Sequence, residues 1–304
     1  MENDIAVKII LNVVETTEPT WRQYGIYWSD IDYLFIQRGY EQGGFNTSKF
    51  SKLLEEKNIF SINKLGGILE HFKFDKKYKR DFAGNPENQF YQDLKKGKAG
   101  DTGRRFYKVV ENFKGHRGYA YYQLLWRMLV CCNYLKTNYN GNFSNFLTTK
   151  YSEFKNKEIT ENEFMNISLS EWESFKKTKP WDKLYGIGEN VFDFLIGDLI
   201  DEDGRSIEFA KNSYKLDDSN IRFLKATGIC KNPEHDIVTT YLKDLNLPYT
   251  IREINKGIYS YCSKTALNEV EEGVYIGDPG NHGFCYLHRC SECKVYEICE
   301  KNFD

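Results

Sequence analysis

The stretch FCYLHRCSECKVYEICEK, residues 284–301, places Cys285, Cys290, Cys293 and Cys299 within fifteen residues. Short loops bring several sulfurs to one point with little further closure entropy, so these thiols can wrap one metal centre. Structural zinc usually takes two Cys-x2-Cys pairs separated by a longer span, and only one such pair occurs here. The spacing therefore favours a four-iron cluster, and His282 and His288 become ligand candidates only for zinc.

Composition sets the remaining bounds. The chain has 304 residues, eight cysteines and a formal net charge of −2, and no run of eighteen apolar residues occurs in it. We expect a soluble, cytoplasmic, monomeric protein with no membrane partner and no disulfide framework. Because the charge is nearly balanced, any contact with nucleic acid must use a local basic patch.

Helical periodicity dominates, and the expected class is mainly α. In residues 119–137, Leu124, Leu125, Met128, Leu129 and Cys132 recur at helical spacing and mark a buried face. The polar, lysine-rich segment 73–103 is expected to be a loop or insertion. The candidate helices are 28–38, 47–57, 62–72, 104–113, 119–137, 161–166, 169–178, 189–199, 219–227, 234–245 and 251–263.

A second motif, LYGIGENVFDFLIG, occupies residues 184–197. A short helix from Pro180, a tight Gly-Ile-Gly turn and an amphipathic helix would form a helix–hairpin–helix. Gly186 and Gly188 permit close backbone approach, and the amides that open the second helix point toward an incoming phosphate. A glycine turn between helices is weak by itself, because any helix-breaking turn favours glycine.

Together, the hairpin and the cysteine stretch resemble the helix–hairpin–helix DNA glycosylases of the endonuclease III and adenine-glycosylase type. That resemblance implies a two-lobed helical fold and a 4Fe-4S cluster held by Cys285, Cys290, Cys293 and Cys299. The family spaces its cysteines by six, two and five residues, whereas this chain has four, two and five. The expected divisions are a divergent helical part (1–114), a helical barrel with the hairpin (115–228) and the C-terminal helices with the cluster loop (229–304).

The resemblance also assigns the chemistry. The segment KLDDSNIRFLKATGI, residues 215–229, looks like the family stretch that holds the catalytic aspartate, which places that role on Asp218. A carboxylate suits the cleavage of an N-glycosidic bond, because positive charge develops on the sugar. Asp217 is an alternative in register, and either aspartate could simply cap the next helix. Asn190, the second catalytic candidate, stands where bifunctional members carry a lysine, so a Schiff base is not expected, but its amide could hydrogen-bond a flipped base or a sugar oxygen.

DNA is the expected partner, and a flipped base is the expected substrate. The residues assigned to DNA binding are Gly186, Gly188, Glu189, Asn220, Arg117 and Lys114. The last two belong to a basic stretch whose other members are Arg104, Arg105, Lys108, His116 and Tyr119. A solvated helix face would explain this stretch equally well.

Three functions remain open at this point. The first is a monofunctional DNA glycosylase. The second is a transferase of the same fold that joins an amine or amino acid to an activated thymine. This second function is implied by a resemblance to viral α-glutamyl/putrescinyl thymine pyrophosphorylases and amino-acid:DNA transferases. The third is a catalytically silent DNA-binding module.

Overall fold

The computed structural model describes residues 2–72, 89–118, 120–202 and 206–302, and this part of the chain is mainly helical, as the sequence predicts. Two short strands, β1 (Ile26–Tyr27) and β2 (Leu199–Ile200), also occur in it, and the amide of Ile26 donates to the carbonyl of Asp198 at 2.7 Å. The helices are α1 (Asn3–Trp21), α2 (Ile31–Arg38), α3 (Thr47–Glu56), α4 (Ile62–Leu69), α5 (Gln89–Lys95), α6 (Gly100–Asn112), α7 (Tyr121–Tyr139), α8 (Phe143–Lys155), α9 (Glu161–Met165), α10 (Leu169–Lys176), α11 (Glu189–Gly197), α12 (Asp218–Thr227), α13 (His235–Asp244), α14 (Ile251–Cys262), α15 (Lys264–Glu271) and α16 (Phe284–Leu287).

None of the helices in the described ranges combines the length and the apolar character that a membrane crossing requires.

Of the two alternatives for residues 73–103, a loop or an insertion, the loop is wrong over much of residues 89–103. Helix α5 occupies residues 89–95, and α6 begins at Gly100. Phe90, Tyr91 and Leu94 are buried and give the short α5 an apolar face. The many lysines around it make the segment polar on average, so the sequence pattern does not reveal this face. Residues 73–88, which complete the predicted loop, lie outside the described residues.

The chain divides into two compact units, one formed by residues 1–26 and 196–304 and the other by residues 27–195. We call these the discontinuous unit and the central unit. Neither boundary falls at residue 114 or 228, where the sequence suggested divisions. The discontinuous unit brings the first helix of the chain together with the C-terminal region, a pairing that local sequence patterns do not encode.

In the discontinuous unit, α1 packs along α14. Residues Ile9, Ile10, Val13 and Val14 form the buried apolar stripe of α1, with spacings of three and four that suit a helix. Gly257 lets the two helices approach closely, because a Cβ there would lie 3.0 Å from the Cα of Val14. This helix pair supplies much of the apolar core of the unit.

In the central unit, α4 packs against α7. Gly66 faces the backbone of α7, where a Cβ would lie 2.5 Å from the carbonyl oxygen of Cys132. The predicted buried face of α7 is confirmed, since Leu124, Leu125, Met128 and Leu129 are fully buried or nearly so. Cys131, on the same helix α7, contacts the hairpin region described below.

Candidate functional site

The four C-terminal cysteines line one cavity in the discontinuous unit. Cys285 lies on α16, Cys290 begins a 3-10 turn that ends at Glu292, and Cys293 follows that turn directly. The space between these residues is about 340 Å³ when adjoining open solvent is included, and only about 20 Å³ of it can hold the centre of a water molecule. Its other lining residues are Phe223, Thr227, Phe284, Val295, Tyr296 and Lys301. The structure therefore brings all four sequence-predicted thiols to one place.

Backbone hydrogen bonds hold this cysteine-bearing segment in a compact path. The amide of Cys293 donates to the carbonyl of Cys290 at 3.0 Å, and the amide of Tyr296 donates to the carbonyl of Cys293 at 3.0 Å. Cys299 donates its thiol hydrogen to the carbonyl of Ala226 at 3.3 Å. Gly283 and His288, on either side of α16, both take positive φ and turn the chain sharply. The segment is thus folded against the C-terminal end of α12.

Helix α14 adds two side chains to the cysteine site that sequence reasoning missed. The hydroxyl of Tyr261 lies 3.2 Å from the sulfur of Cys293 and accepts a hydrogen bond from the amide of Lys294 at 3.1 Å. Cys262 is fully buried, and burial and its contact with Cys285 raise the pKa of its thiol. The sequence separates these residues from the cluster by more than twenty positions, so only the folded chain reveals the contact.

The donor set consists of four thiols, and thiolates are the ligands that an iron–sulfur cluster takes. Burial raises the pKa of the Cys293 and Cys299 thiols, so metal binding must release their protons. Among the described residues, no three His, Cys, Asp or Glu side chains converge closely enough to hold one metal ion. The four-iron cluster stays a prediction.

At the other end of α12, the structure separates the roles of the two aspartates. Asp217 caps the helix, since its carboxylate accepts from the amide of Asn220 at 2.9 Å. Asp218 lies in the first turn, where its side chain is 70% exposed and pairs with Arg222 at 2.9 Å. The capping alternative therefore applies to Asp217. Asp218 carries a carboxylate that the fold does not need as a cap.

A buried polar network fixes the segment that leads into α12. The side-chain oxygen of Asn220 accepts from the hydroxyl of Tyr214 at 2.9 Å and from the amide group of Asn255 at 3.1 Å. Asn255 also bonds both backbone polar groups of Lys215. Asn220 is fully buried, so it has no exposed side chain to offer DNA, and its predicted DNA-binding role is corrected to a structural one.

In the central unit, the glycine motif forms a turn between two helical segments. A 3-10 helix covers Pro180–Lys183, where the sequence predicts a short helix, and α11 follows at Glu189. Gly186 has φ of +84°, a conformation that favours glycine. At Gly188, no atom lies within 4 Å of the position a Cβ would take, so this face of the turn is open. An approaching ligand would meet bare backbone there.

Two hydrogen bonds from other parts of the central unit hold the glycine turn in place. The carbonyl of Gly186 accepts from the side-chain amide of Gln42 at 3.4 Å, and the carbonyl of Tyr185 accepts from the thiol of Cys131 at 3.5 Å. Burial raises the pKa of Cys131 to about 12, which keeps this thiol protonated and able to donate. The turn is therefore fixed before any ligand arrives.

Two of the remaining candidates of the central unit, Glu189 and Arg117, have ordinary structural partners. Glu189, in the first turn of α11, lies 3.8 Å from the ammonium of Lys176 and suits the helix dipole. Arg117 donates to the carbonyls of Glu111 and Phe113 and packs on the ring of Tyr121. Lys114 is exposed, and Asn190 is half-buried.

The other residues of the basic stretch are predicted either to bind DNA or to form a solvated helix face, and the structure shows which of them have internal partners. Arg105 pairs with Asp101 at 2.6 Å, and the ring of His116 contacts the carbonyl of Gly44, so both have internal partners. Arg104 and Lys108 are exposed, and Tyr119 lies outside the described residues. Structural roles account for Arg105, Arg117 and His116 without DNA.

Comparisons of the chain with protein-family models, with curated proteins and with solved structures find no match.

Proposed function

We propose that the protein is a DNA base-acting enzyme, a monofunctional DNA glycosylase that carries a 4Fe-4S cluster. One observation carries the proposal: α12 begins at the Asp218 carboxylate and ends at the cavity that the four cysteines line. Ten residues of helix span about 15 Å, so a single rigid element joins the two sites.

Cys285, Cys290, Cys293 and Cys299 would hold the cluster through their thiolates. When bound, the cluster supplies a structural crosslink and no chemistry on the base. Phe223 and Thr227 of α12 line the same cavity, so ordering of the cysteine segment also fixes this helix. The position of Asp218 at the start of α12 then depends on packing at the opposite, C-terminal end of that helix.

In the proposed reaction, the bond between the sugar and the flipped base breaks as water adds to the sugar, and the base leaves with a proton. Asp218 stabilises the positive charge that develops on the sugar. Its side chain is largely exposed in the free protein, so bound DNA must exclude water from it. The open face of the turn at Gly188 would receive a phosphate of bound DNA.

The products distinguish the candidate functions. We expect incubation with DNA of varied base content to release a free base, detected by mass spectrometry alongside the digested nucleosides. A nucleoside of increased mass would instead identify the transferase, and DNA binding with neither product would identify a silent module. Either of these results would overturn the glycosylase proposal.

Borohydride reduction during that reaction should trap no covalent DNA adduct, because Asn190 cannot form a Schiff base. Lys176 does not replace the missing lysine. Although burial favours its neutral amine, the Asp193 carboxylate at 2.7 Å raises the pKa of Lys176 and keeps it protonated. Efficient trapping would show that a different amine attacks the sugar.

Gly188→Ala tests the hairpin separately from the chemistry. We expect roughly tenfold weaker binding to a labelled duplex, because a methyl group would crowd a phosphate that approaches the backbone. Folding should be unaffected, since the added Cβ meets no protein atom and the backbone needs no positive φ there. Gly67→Ala on the surface of α4 is the matched control and should bind normally. Equal binding by both variants would remove the hairpin from the DNA interface.

A further inference from the structure

Arg127 occupies an unusual position beside the hairpin. It projects from α7, and its guanidinium carbon lies 5.5 Å from the centre of the Tyr185 ring. Gly186 makes room for it, because a Cβ on that residue would lie 2.9 Å from Nε of Arg127 and closer still to its Cδ. Tyr185 is 50% exposed, so the stacked pair stands at the tip of the turn.

Arg127 has no counter-ion in the part of the chain that the structure describes, and its buried Nε has no hydrogen-bond partner there. Most other arginines of the described residues are neutralised by a carboxylate. They are Arg22, Arg38, Arg105, Arg222, Arg252 and Arg289. A half-buried guanidinium without a partner is unfavourable unless a ligand supplies the missing anion.

We propose that Arg127 binds a phosphodiester of nucleic acid, with Tyr185 holding the guanidinium plane in place. A planar guanidinium presents two parallel donors that match two phosphate oxygens, and stacking on an aromatic ring reduces the freedom it must lose on binding. The exposed edge of Tyr185 offers an apolar surface to the neighbouring sugar. The inference rests on the proposed function, since it names a second phosphate contact beside the open backbone at Gly188.

The test measures binding of a labelled DNA duplex across a range of salt concentrations. Arg127→Gln should weaken binding roughly tenfold and lower the slope of log K against log salt by about 0.9, the value for one phosphate contact. A loss of packing alone would not change the slope. Arg22→Gln removes one charge from an exposed residue directly after α1 that pairs with Glu18, and it should change neither quantity.

Two further variants keep the test decisive if Arg127→Gln folds poorly. Arg127→Lys keeps the charge but loses the planar fork, so the salt slope should be retained while the affinity falls several-fold. Tyr185→Ala alters an exposed ring and should fold normally, and it should also weaken binding several-fold because the guanidinium loses its platform.

The outcomes separate this inference from the proposed function. If the unaltered protein releases a base and binds DNA while Arg127→Gln binds with the same affinity and salt slope, the inference is overturned and the proposed function stands. Stabilisation of the protein by inorganic phosphate that depends on Arg127, with unchanged duplex binding, would reassign the site to a free anion and also overturn it. Absence of DNA binding by the unaltered protein would remove the proposed function itself.

Discussion

Asp218→Asn is expected to lower turnover on a verified DNA substrate by roughly a hundred- to a thousand-fold, while duplex affinity stays within about twofold. The carboxylate is needed as positive charge develops on the sugar and contributes little to the ground-state complex. The fold should tolerate the change, because the exposed ion pair with Arg222 contributes only about 0.3–0.5 kcal/mol. Single-turnover kinetics with excess protein measure this step directly.

Asp217→Asn is the matched control, since it removes the same charge one residue away. Asparagine is also a good N-cap, so the hydrogen bond from the amide of Asn220 should survive. We expect turnover within a few-fold of the unaltered protein. If Asp217→Asn were the inactive variant and Asp218→Asn kept full activity, the assignment of Asp218 would be wrong and the alternative register would hold.

Cys293→Ser is expected to cost the protein its soluble, folded state. Metal-centre binding free energies on the order of 10 kcal/mol are comparable with the whole stability of a domain, about 5–15 kcal/mol. Without its cluster, the discontinuous unit would keep an incompletely filled cavity beside α12. Soluble yield and the thermal unfolding midpoint of the purified variant are the measurements.

Cys230→Ser is the control for the chemical change from thiol to hydroxyl. Cys230 is half-buried and free, and it does not line the cavity. Its substitution should leave yield and unfolding midpoint nearly unchanged. A Cys293→Ser protein that matched Cys230→Ser in both measurements would show that no cluster stabilises the fold.

Much of the helical structure follows from periodicity, but its assembly does not. The pattern of Leu124, Leu125, Met128 and Leu129 correctly predicts the buried face of α7. Helix α1 has an equally regular stripe of apolar residues. Many of these residues are β-branched and would also suit a strand, so the choice of helix depends on packing along α14. The union of residues 1–26 with 196–304 depends on contacts between distant parts of the chain.

The candidate site shows the same division between local and long-range information. Cysteine spacing predicts that four thiols gather, because short loops limit where they can go. The contacts of Tyr261 with Cys293, and of Arg127 with Tyr185, each join a helical residue to a residue in a distant turn and leave no local signal. Asp217 and Asp218 are alike in sequence, and only the observed hydrogen bonds distinguish the cap from the exposed carboxylate.

The metal content of freshly purified, untagged protein tests most directly whether the four-cysteine cavity holds an iron–sulfur cluster. We expect about four irons per chain, with matching acid-labile sulfide and a broad visible absorbance that gives a brown colour. One zinc per chain with no iron would contradict the cluster, and with it the link between this cavity and the glycosylase fold.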